Sequence, residues 1–289
     1  MSLIGTMDSG VSALQTYEHG LEVIGNNIAN VSTNAFKGSN AQYADSFSQI
    51  LQGSSATGSG ASPAMQIGTG VQLAAISVDF AQGQISATGV PTDLAISGNG
   101  FFVVQSATSG QSFATRDGQF SINSNGNLVD SQGDLVQGLT GGSAGSAPTT
   151  VGAVKLGTPP ANTQLQSISI DNQGNFAETY SDGSTAVTNV VLLQNYNNPT
   201  ALTNVGNNLY SNLAAAGPIG GSTALSAANN TAGANGLGSI QSGALEGSNV
   251  DLTTQFANLI TTQRSFEAAS RLITVSDTIL GDIVDLKRS

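Results

Sequence analysis

The stretch that decides the fold is the last one, where residues 251–289 read DLTTQFANLITTQRSFEAASRLITVSDTILGDIVDLKRS. Apolar residues recur there at strict intervals of seven, at Leu252, Leu259, Phe266, Ile273 and Leu280. A second set widens this apolar stripe on its flanks, namely Phe256, Leu272, Ile279, Ile283 and Leu286. The preceding Ser248-Asn249-Val250-Asp251 has the form of a capping box, which predicts that a helix opens at this point. Lys287 and Arg288 would complement the negative end of its dipole. We therefore predict one long amphipathic helix within 247–289.

The opposite end of the chain, residues 1–35, repeats the seven-residue pattern. One heptad position holds Met7, Leu14, Leu21 and Ile28, and the position three later holds Leu3, Tyr17, Ile24 and Val31. Gly10 interrupts the repeat, and polar residues fall off the stripe. This periodicity predicts a second amphipathic helix of roughly 28 residues.

The two terminal helices admit two interpretations. Docking of each helix on its own domain is the commoner fate of an amphipathic helix. Heptads kept in strict sevens over many turns instead select a left-handed supercoil. Because both helices are long, terminal and flanked by Gly/Ser-rich tracts, we favour pairing of the first with the last as a coiled coil. We also expect their ends to fray in the monomer and to become ordered on assembly, since such a pair is marginal alone.

The middle of the chain changes to the period of β-strands. Val71-Leu73 and Ile76-Val78 alternate with a phase slip at Ala74-Ala75 that suggests a bulge, and short apolar pairs follow every 8–10 residues. Asn99-Gly100, Asp117-Gly118, Asn125-Gly126 and Asp182-Gly183 separate them and predict tight turns. We predict an α+β chain with a β-rich, meander or barrel-like, central domain. Its expected parts are an N-terminal helix and motif (1–51), a linker (52–70), a β-domain (71–210) with a flexible tract at 139–163, a connector (211–246) and the C-terminal helix (247–289).

Composition excludes several classes of function. The 289 residues contain no Cys, one His, 7 Lys+Arg and 18 Asp+Glu. Without Cys there is no disulfide scaffold or iron–sulfur cluster, and a single His cannot form a His₂ metal site. A net charge of −11 argues against nucleic-acid binding, which needs clustered cations. His19 falls on the polar side of its heptads, and no calcium or phosphate loop is complete, so we expect no catalytic site, metal or cofactor.

The N-terminal region lacks the features of a cleaved secretory signal. The first basic residue is Lys37, and no run of seven apolar residues precedes it. No stretch approaches the ~18 apolar residues of a membrane-spanning helix. We expect no membrane insertion and, if the protein is exported, a route that cleaves no signal peptide.

Three separated motifs resemble those of the bacterial flagellar rod, hook and hook-associated axial proteins. The first runs from Gly25 to Lys37 (GNNIANVSTNAFK), with Ala35 where Gly is usual. The second comprises DLAISGNGFF at 93–102 and TRDG at 115–118, and the third comprises GALEGSNVDL at 243–252 and QRSF at 263–266. They occur in the family's order and span nearly the whole chain.

Within this family the residues resemble the hook most. The form of residues 23–30, the Gly-Ala-Leu-Glu of the third motif and the Leu-Lys-Arg ending are hook-like, whereas the distal rod usually has Ala in place of Gly25. Many hooks carry a large outer domain whose place is taken here only by the 139–163 tract. A compact hook lacking that domain is therefore the first interpretation and a distal rod protein the second.

The resemblance implies a structural protein that is exported through the flagellar secretion apparatus and polymerises into a hollow helical tube outside the cell. Its partners would be copies of itself and the flagellar rod, hook cap and hook–filament junction proteins. In a hook the tube is a universal joint that transmits motor torque, and small, uncharged contacts would let subunits slide. A secreted β-rich adhesin is the remote alternative. The expected subunit interface comprises Leu3, Met7, Leu14, Tyr17, Leu21, Ile24, Asn26, Asn27, Ile28, Asn30, Val31 and Phe36, together with Leu252, Phe256, Leu259, Phe266, Ile273, Leu280 and Ile283.

Overall fold

The computed structural model describes residues 3–52, 65–142, 148–157, 163–220, 222–223 and 225–288. The chain divides into two compact units. Unit 1 consists of Met1–Val31, Gly38–Asp79 and Val250–Ser289, and unit 2 consists of Ser32–Lys37 and Phe80–Asn249. The fold is α+β, with long helices in unit 1 and a β-rich unit 2 formed by the middle of the chain.

The two predicted terminal helices are present in unit 1. Helix α1 spans Leu3–Ala29 and helix α3 spans Leu252–Arg288, so they are 27 and 37 residues long. They lie side by side and antiparallel, because Thr6 contacts Ser276 while Asn27 contacts Gln255. The contact of α1 with α3 is therefore observed.

Helix α3 is capped differently from the sequence interpretation. It begins at Leu252, and the carboxylate of Asp251 accepts hydrogen bonds from the Thr253 amide (2.9 Å) and the Thr254 hydroxyl (2.8 Å). These two bonds hold the pKa of Asp251 below its ordinary value, and the bond from Thr254 has the larger effect. Asp251 thus takes the N-cap position, because its carboxylate reaches the free amide of the first turn. Ser248 lies too far upstream to serve as the cap.

The described residues of unit 1 also form four strands: β1 Ser39–Asp45, β2 Ser48–Gln52, β3 Met65–Gly68 and β4 Val71–Val78. β1 pairs with β4 and β2 with β3, both antiparallel. Gln42 faces Ala75 and Tyr43 faces Leu73, so Ala74 is the extra residue of the predicted bulge. Met65–Gly68, which we expected in a linker, form a strand, whereas residues 53–64 of that linker lie outside the described residues.

Unit 2 is built from short strands joined by tight turns. Its elements in chain order are β5 Ile85–Ala87, β6 Leu94–Ser97, β7 Phe101–Gln105, β8 Ser112–Thr115, β9 Ser121–Ile122, β10 Leu128–Val129, β11 Leu135–Thr140, β12 Thr150–Ala153, β13 Leu165–Ile170, β14 Asn175–Tyr180, β15 Thr185–Val191, β16 Leu193–Gln194, a 3₁₀ turn Pro199–Ala201, β17 Thr203–Gly206, β18 Leu209–Ser211, α2 Ala227–Asn230, β19 Ser239–Ser242 and β20 Ala244–Glu246.

The main sheet has the strand order β13-β14-β15-β11-β7-β8-β18-β17, with β9, β10, β12 and β16 attached to its side. Only part of this order is the sequential one of a meander, because β11 separates β15 from β7. Strand β7 is buried on both faces, with Phe102 and Val104 in one core cluster and Phe101 in another. This double burial explains its unbroken apolar run.

The glycines of the predicted turn dipeptides are required for two different structural reasons. Gly126 has a φ of +80°, as the predicted Asn-Gly turn requires. Gly118 is different, because its α-carbon lies against the backbone carbonyl of Leu94, where a Cβ would overlap. Asp117-Gly118 therefore marks a close backbone approach and not a hairpin turn.

The expected connector at 211–246 is largely packed into unit 2 in its described part. Buried apolar side chains occur along it, at Leu213, Ala216, Leu225, Ala232, Leu237, Ile240, Ala244 and Leu245. The low-complexity composition of this segment therefore did not indicate an open linker. Its small residues instead fill space beside the sheet. Of the 139–163 tract, residues 143–147 and 158–162 lie outside the described residues, while Thr150–Ala153 form β12.

Candidate assembly surfaces and a buried charge cluster

The contact between α1 and α3 is made by small and polar residues as well as apolar ones. A Cβ added at Gly10 would lie 2.9 Å from Ile273 Cγ1, and one added at Gly20 would overlap the Tyr43 hydroxyl. Most of the half-buried and buried positions of α3 form a series spaced alternately by four and three residues, at Gln255, Leu259, Thr262, Phe266, Ala269, Ile273, Ser276 and Leu280. Gly10 is thus a close-packing position, although the sequence pattern treats it as an interruption.

The predicted interface residues differ in exposure. Ile24, Asn27 and Phe36 are buried, and Asn26, Leu252, Phe256 and Ile283 are exposed. The remainder are half-buried, namely Met7, Leu14, Tyr17, Leu21, Ile28, Asn30, Val31, Leu259, Phe266, Ile273 and Leu280. Leu3 lies on α1, but its side chain is outside the described set. Their role between subunits stays a prediction.

Asn27 joins three segments of unit 1. Its Nδ2 donates to the Ser39 carbonyl (2.8 Å) and to Gln255 Oε1 (3.3 Å), and its Oδ1 accepts from the Ser39 amide (2.9 Å). Asn26 and Asn30 instead bond to each other near the end of α1. The three asparagines of the first motif therefore have separate structural roles.

Exposed apolar side chains are concentrated in unit 1. Of the twenty large apolar residues exposed in the described part of the chain, sixteen belong to unit 1. One group lies on or beside the β2–β3 hairpin, where Phe47 is 85% exposed and Ile50, Leu51 and Met65 are also exposed. Another forms a stripe along the end of α3, at Leu272, Val275, Ile279, Ile283 and Leu286. Contiguous apolar surface of this kind marks interaction sites.

A three-charge cluster lies in the interior of unit 2. Lys37 Nζ is 2.6 Å from Glu246 Oε1, and an Arg116 guanidinium nitrogen is 3.2 Å from Glu246 Oε2. Lys37 also donates to the Ala81 carbonyl (2.8 Å), and Arg116 donates to the Gly98 carbonyl (2.9 Å). The side chains of Lys37 and Glu246 are fully buried, and that of Arg116 is nearly so.

Desolvation is the largest influence on the pKa of Arg116 in this cluster. Burial lowers the pKa of Arg116, and the carboxylate of Glu246 opposes that shift. The Arg116 guanidinium also lies 5.2 Å from the centroid of the Phe101 ring. Both cations, Lys37 and Arg116, pair with the carboxylate of Glu246. Each of the three charged residues comes from a different one of the three sequence motifs. The sequence pattern alone did not predict that these residues meet.

The described residues hold no constellation suited to catalysis. His19 is exposed, with Nδ1 3.1 Å from Glu22 Oε2. No group of three or more His, Cys, Asp or Glu residues in the described segments could hold a metal ion. No helix among them is long and apolar enough to cross a membrane.

Comparisons with known proteins agree with this architecture. Three family models match along the chain: "Flagella basal body rod protein" over residues 7–37, "Flagellar hook protein FlgE/F/G D1 domain" over 95–177 and "Flagellar basal body rod FlgEFG protein C-terminal" over 241–286. The chain therefore belongs to the flagellar rod and hook family, whose members are structural axial proteins and not enzymes. The resemblance inferred from the three motifs is confirmed.

Individual relatives add the extent of the match. The flagellar basal-body rod protein FlgG of Bacillus subtilis is 34% identical over 288 residues, covering 99% of this chain and 100% of that protein. FlgG of Borreliella burgdorferi is 31% identical and covers 100% of this chain and 99% of its own length. The flagellar hook protein FlgE of Helicobacter mustelae is 40% identical, over 47% of this chain and 31% of that protein. The chain is thus a component of the flagellar rod and hook structure.

Proposed function

We propose that this chain is a subunit of the distal rod, the drive shaft of the flagellar basal body, and that its copies polymerise into a hollow helical tube. The relatives named as rod proteins align over 93–100% of this chain and 94–100% of their own lengths. Those named as hook proteins align over 47–58% of this chain and 24–31% of theirs. Agreement along the whole length supports the rod over the hook that the motifs favoured.

Polymerisation is supported chiefly by the concentration of exposed apolar side chains in unit 1. Fully burying one Leu, Ile or Phe side chain contributes about 1.5–3 kcal/mol. The exposed stripe at the end of α3 would therefore be covered by neighbouring copies. In this arrangement α1 and α3 pair as a coiled coil in the inner layer of the tube, since their contacts follow heptad spacing.

The β2–β3 hairpin supports a rigid tube. A joint that bends while it rotates needs contacts that slide at low energy, such as small and uncharged ones. Phe47, Ile50, Leu51 and Met65 instead present large apolar side chains. If these side chains insert into a neighbouring subunit, each sliding step would re-expose apolar area to water, which resists bending.

The hook, a flexible universal joint, is the second candidate. The observation that favours it is the local match to the hook relative, which at 40% exceeds the identity to the rod relatives. In either case the proposed partners are copies of this chain, adjoining rod, hook cap or hook–filament junction proteins, and the flagellar export apparatus. The proposed location is the flagellum.

Electron microscopy of the purified chain at high concentration tests this proposal. We expect straight tubes, whereas curved, flexible tubes would favour the hook and a chain that stays monomeric under all conditions would contradict both. A Phe47→Ser/Ile50→Ser variant should form fewer or more flexible tubes. The matched control, Val187→Ser/Val205→Ser, removes exposed apolar residues from unit 2 and should assemble like the unaltered chain. Equal behaviour of the two variants would argue against the role of the hairpin.

A further inference from the structure

Two polar contacts place α1 and α3 in one antiparallel register. The hydroxyl oxygens of Thr6 and Ser276 lie 3.4 Å apart near the start of α1. Near its end, Asn27 Nδ2 lies 3.3 Å from Gln255 Oε1. On each helix the two contacts are separated by three heptads. The same alignment of the two helices therefore holds at both ends of their contact.

The apolar repeats of the two helices do not by themselves select this register. On α3, Leu259, Phe266, Ile273 and Leu280 are half-buried and follow one another at intervals of seven. A displacement of α3 along α1 by one heptad, about 10.5 Å at 1.5 Å per residue, would bring another large apolar side chain to nearly every one of these positions. The burial of apolar area is therefore similar in the observed and the displaced registers.

Gly10 removes this equivalence by its size. It is buried at the heptad position that Leu3 and Tyr17 also occupy, and a Cβ added to it would lie 2.9 Å from Ile273 Cγ1. Displacement by one heptad would bring Leu3 or Tyr17 to the place opposite Ile273. Two large side chains would then compete for a space that fits one, which is unfavourable in a close-packed contact.

The Asn27–Gln255 pair removes the equivalence by hydrogen bonding. Asn27 is 1% exposed, and Gln255 is also buried. In one displaced register Gln255 would lie opposite Gly20, which offers no side chain. In the other, Asn27 would lie opposite Thr262, whose side chain is shorter than that of Gln255. A buried amide that loses its partner retains its desolvation penalty, so one buried polar contact can specify the register of a helix pair.

We propose that Gly10 and the Asn27–Gln255 pair select the register of α1 and α3, against the displacements by one heptad that the apolar repeats allow. The two selectors act at different heights along α1 and by different means, one through size and the other through hydrogen bonding. The register fixes where the exposed apolar stripe of α3 lies along α1. Its consequence for assembly rests on the proposed function, whereas the selection itself is a property of the single chain.

Disulfide cross-linking of the full-length chain, held monomeric by low concentration, measures the register, because the chain contains no Cys of its own. Thr6→Cys/Ser276→Cys is the observed-register reporter. Thr6→Cys/Ala269→Cys and Thr6→Cys/Ile283→Cys are the displaced reporters, one for each direction. A disulfide requires α-carbons within about 7 Å, so a displacement of about 10.5 Å distinguishes the three reporters. With no other change, we expect only the observed-register reporter to form its disulfide.

Gly10→Leu/Gln255→Leu removes both selectors and keeps the apolar repeats. We expect the observed-register reporter to form its disulfide about tenfold more slowly in this background, because overpacking and an unpaired Asn27 both disfavour the observed register. At least one displaced reporter should then form its disulfide. Gly25→Leu/Gln263→Leu is the matched control, because it makes the same two changes at exposed positions of the same helices and should keep the observed register.

A size swap covers the case in which Gly10→Leu/Gln255→Leu does not fold. Gly10→Leu/Ile273→Ala exchanges the large and the small residue between the helices and should restore the observed-register disulfide that Gly10→Leu alone slows. The proposal is overturned if Gly10→Leu/Gln255→Leu folds and forms only the observed-register disulfide, if the matched control is displaced equally, or if the size swap restores nothing. None of these readouts needs a polymer, so they are independent of whether tubes form.

Discussion

The side chain of Asn27 uses both its carbonyl and its amide group inside unit 1. It is 1% exposed and holds the end of α1 to Ser39 at the start of β1 and to Gln255 on α3. A buried donor or acceptor that loses its partner retains its desolvation penalty. Truncation at this position would leave polar groups on two neighbouring segments without their hydrogen-bond partner.

We expect Asn27→Ala to lower the free energy of unfolding of unit 1 by about 1–3 kcal/mol, because half-buried backbone groups of Ser39 and the buried side chain of Gln255 lose their partner. Urea unfolding followed by far-ultraviolet circular dichroism measures this change. Asn26→Ala is the control: Asn26 is exposed, and the effect should stay within about 0.5 kcal/mol. Equal losses in the two variants would contradict the assignment.

Ala35 gives a conformational reason for one departure from the family motif. Its φ is +55°, in the left-handed region where Gly is favoured, and the side chain is buried. The strain of this conformation is offset in part by burial of the methyl group, at about 0.8 kcal/mol per buried carbon. Sequence comparison with the motif identified the position, but only the backbone angle explains why Gly is usual there.

At the scale of elements, the glycines of α1 have opposite structural roles. Gly20 is buried, and a Cβ there would overlap the Tyr43 hydroxyl, whereas Gly25 is exposed with open space around it. Gly inside a helix is about 1 kcal/mol less favourable than Ala. The helix therefore retains Gly20 for close packing, while Gly25 is not needed for packing within the chain.

We expect Gly25→Ala to raise the thermal stability of unit 1 by roughly 0.5–1 kcal/mol through helix propensity. Gly20→Ala should instead lower it, because Tyr43 must move, and Tyr43→Phe in the same chain should restore part of the loss. Thermal unfolding monitored by circular dichroism measures all three variants. A stabilising Gly20→Ala would show that Tyr43 shifts without loss and would contradict the packing role.

The ends of elements were less predictable than their existence. The heptads indicated both long helices, and the apolar pairs and turn dipeptides indicated most strands of unit 2. The start of α3 was misplaced, because Ser248 and Asp251 both suit a cap and only the geometry selects Asp251. Strands β1, β2 and β3 were not predicted, and β3 is only four residues long and lies beside a Gly/Ser/Ala-rich tract.

At the scale of the whole molecule, buried tyrosines make the stability of unit 2 depend on pH in the alkaline range. Burial, together with the hydrogen bond to Glu178, raises the pKa of Tyr180 to about 12, and burial raises the pKa of Tyr210 to about 12. Burial also raises the pKa of Tyr196. Since the ordinary value is near 10, the folded unit retains these protons after an unfolded chain has lost them.

We therefore expect the stability contributed by these groups to be fully present below pH ~10 and to be lost as the pH rises from about 10 through about 12. Tyrosinate absorbance should rise together with the loss of β-structure. It can be followed without overlapping Trp absorbance, because the chain contains no Trp. Tyr180→Phe should weaken the dependence on pH above 10. An absorbance change that is complete near pH 10, with unit 2 still folded, would contradict this expectation.

Assembly gives a second whole-molecule prediction. A Val275→Ser/Ile279→Ser/Ile283→Ser variant removes exposed side chains of α3 and should leave the monomer folded, because these residues are about half exposed. Its critical concentration for polymerisation should rise at least tenfold, since even partial loss of apolar burial exceeds the ~1.4 kcal/mol that corresponds to a tenfold change. Light scattering against concentration measures this value. The Val187→Ser/Val205→Ser variant is the control, and equal critical concentrations would contradict an assembly role for the stripe.

By itself, the sequence determined the low charge, the absence of Cys and Trp, the two heptad helices, the Ala74 bulge, most strand positions and the family resemblance. These features depend on residues close together in the chain, where periodicity and turn chemistry act directly. Only the tertiary structure decided the strand order, the close contacts of Gly10 and Gly20, and the meeting of Lys37, Arg116 and Glu246. Such contacts join residues far apart in the chain, such as Gly10 with Ile273 and Lys37 with Glu246. At these positions, burial in the folded chain makes an unpaired charge or an overlapping Cβ unfavourable. This selection acts only when distant segments have packed together, so no local pattern contains it.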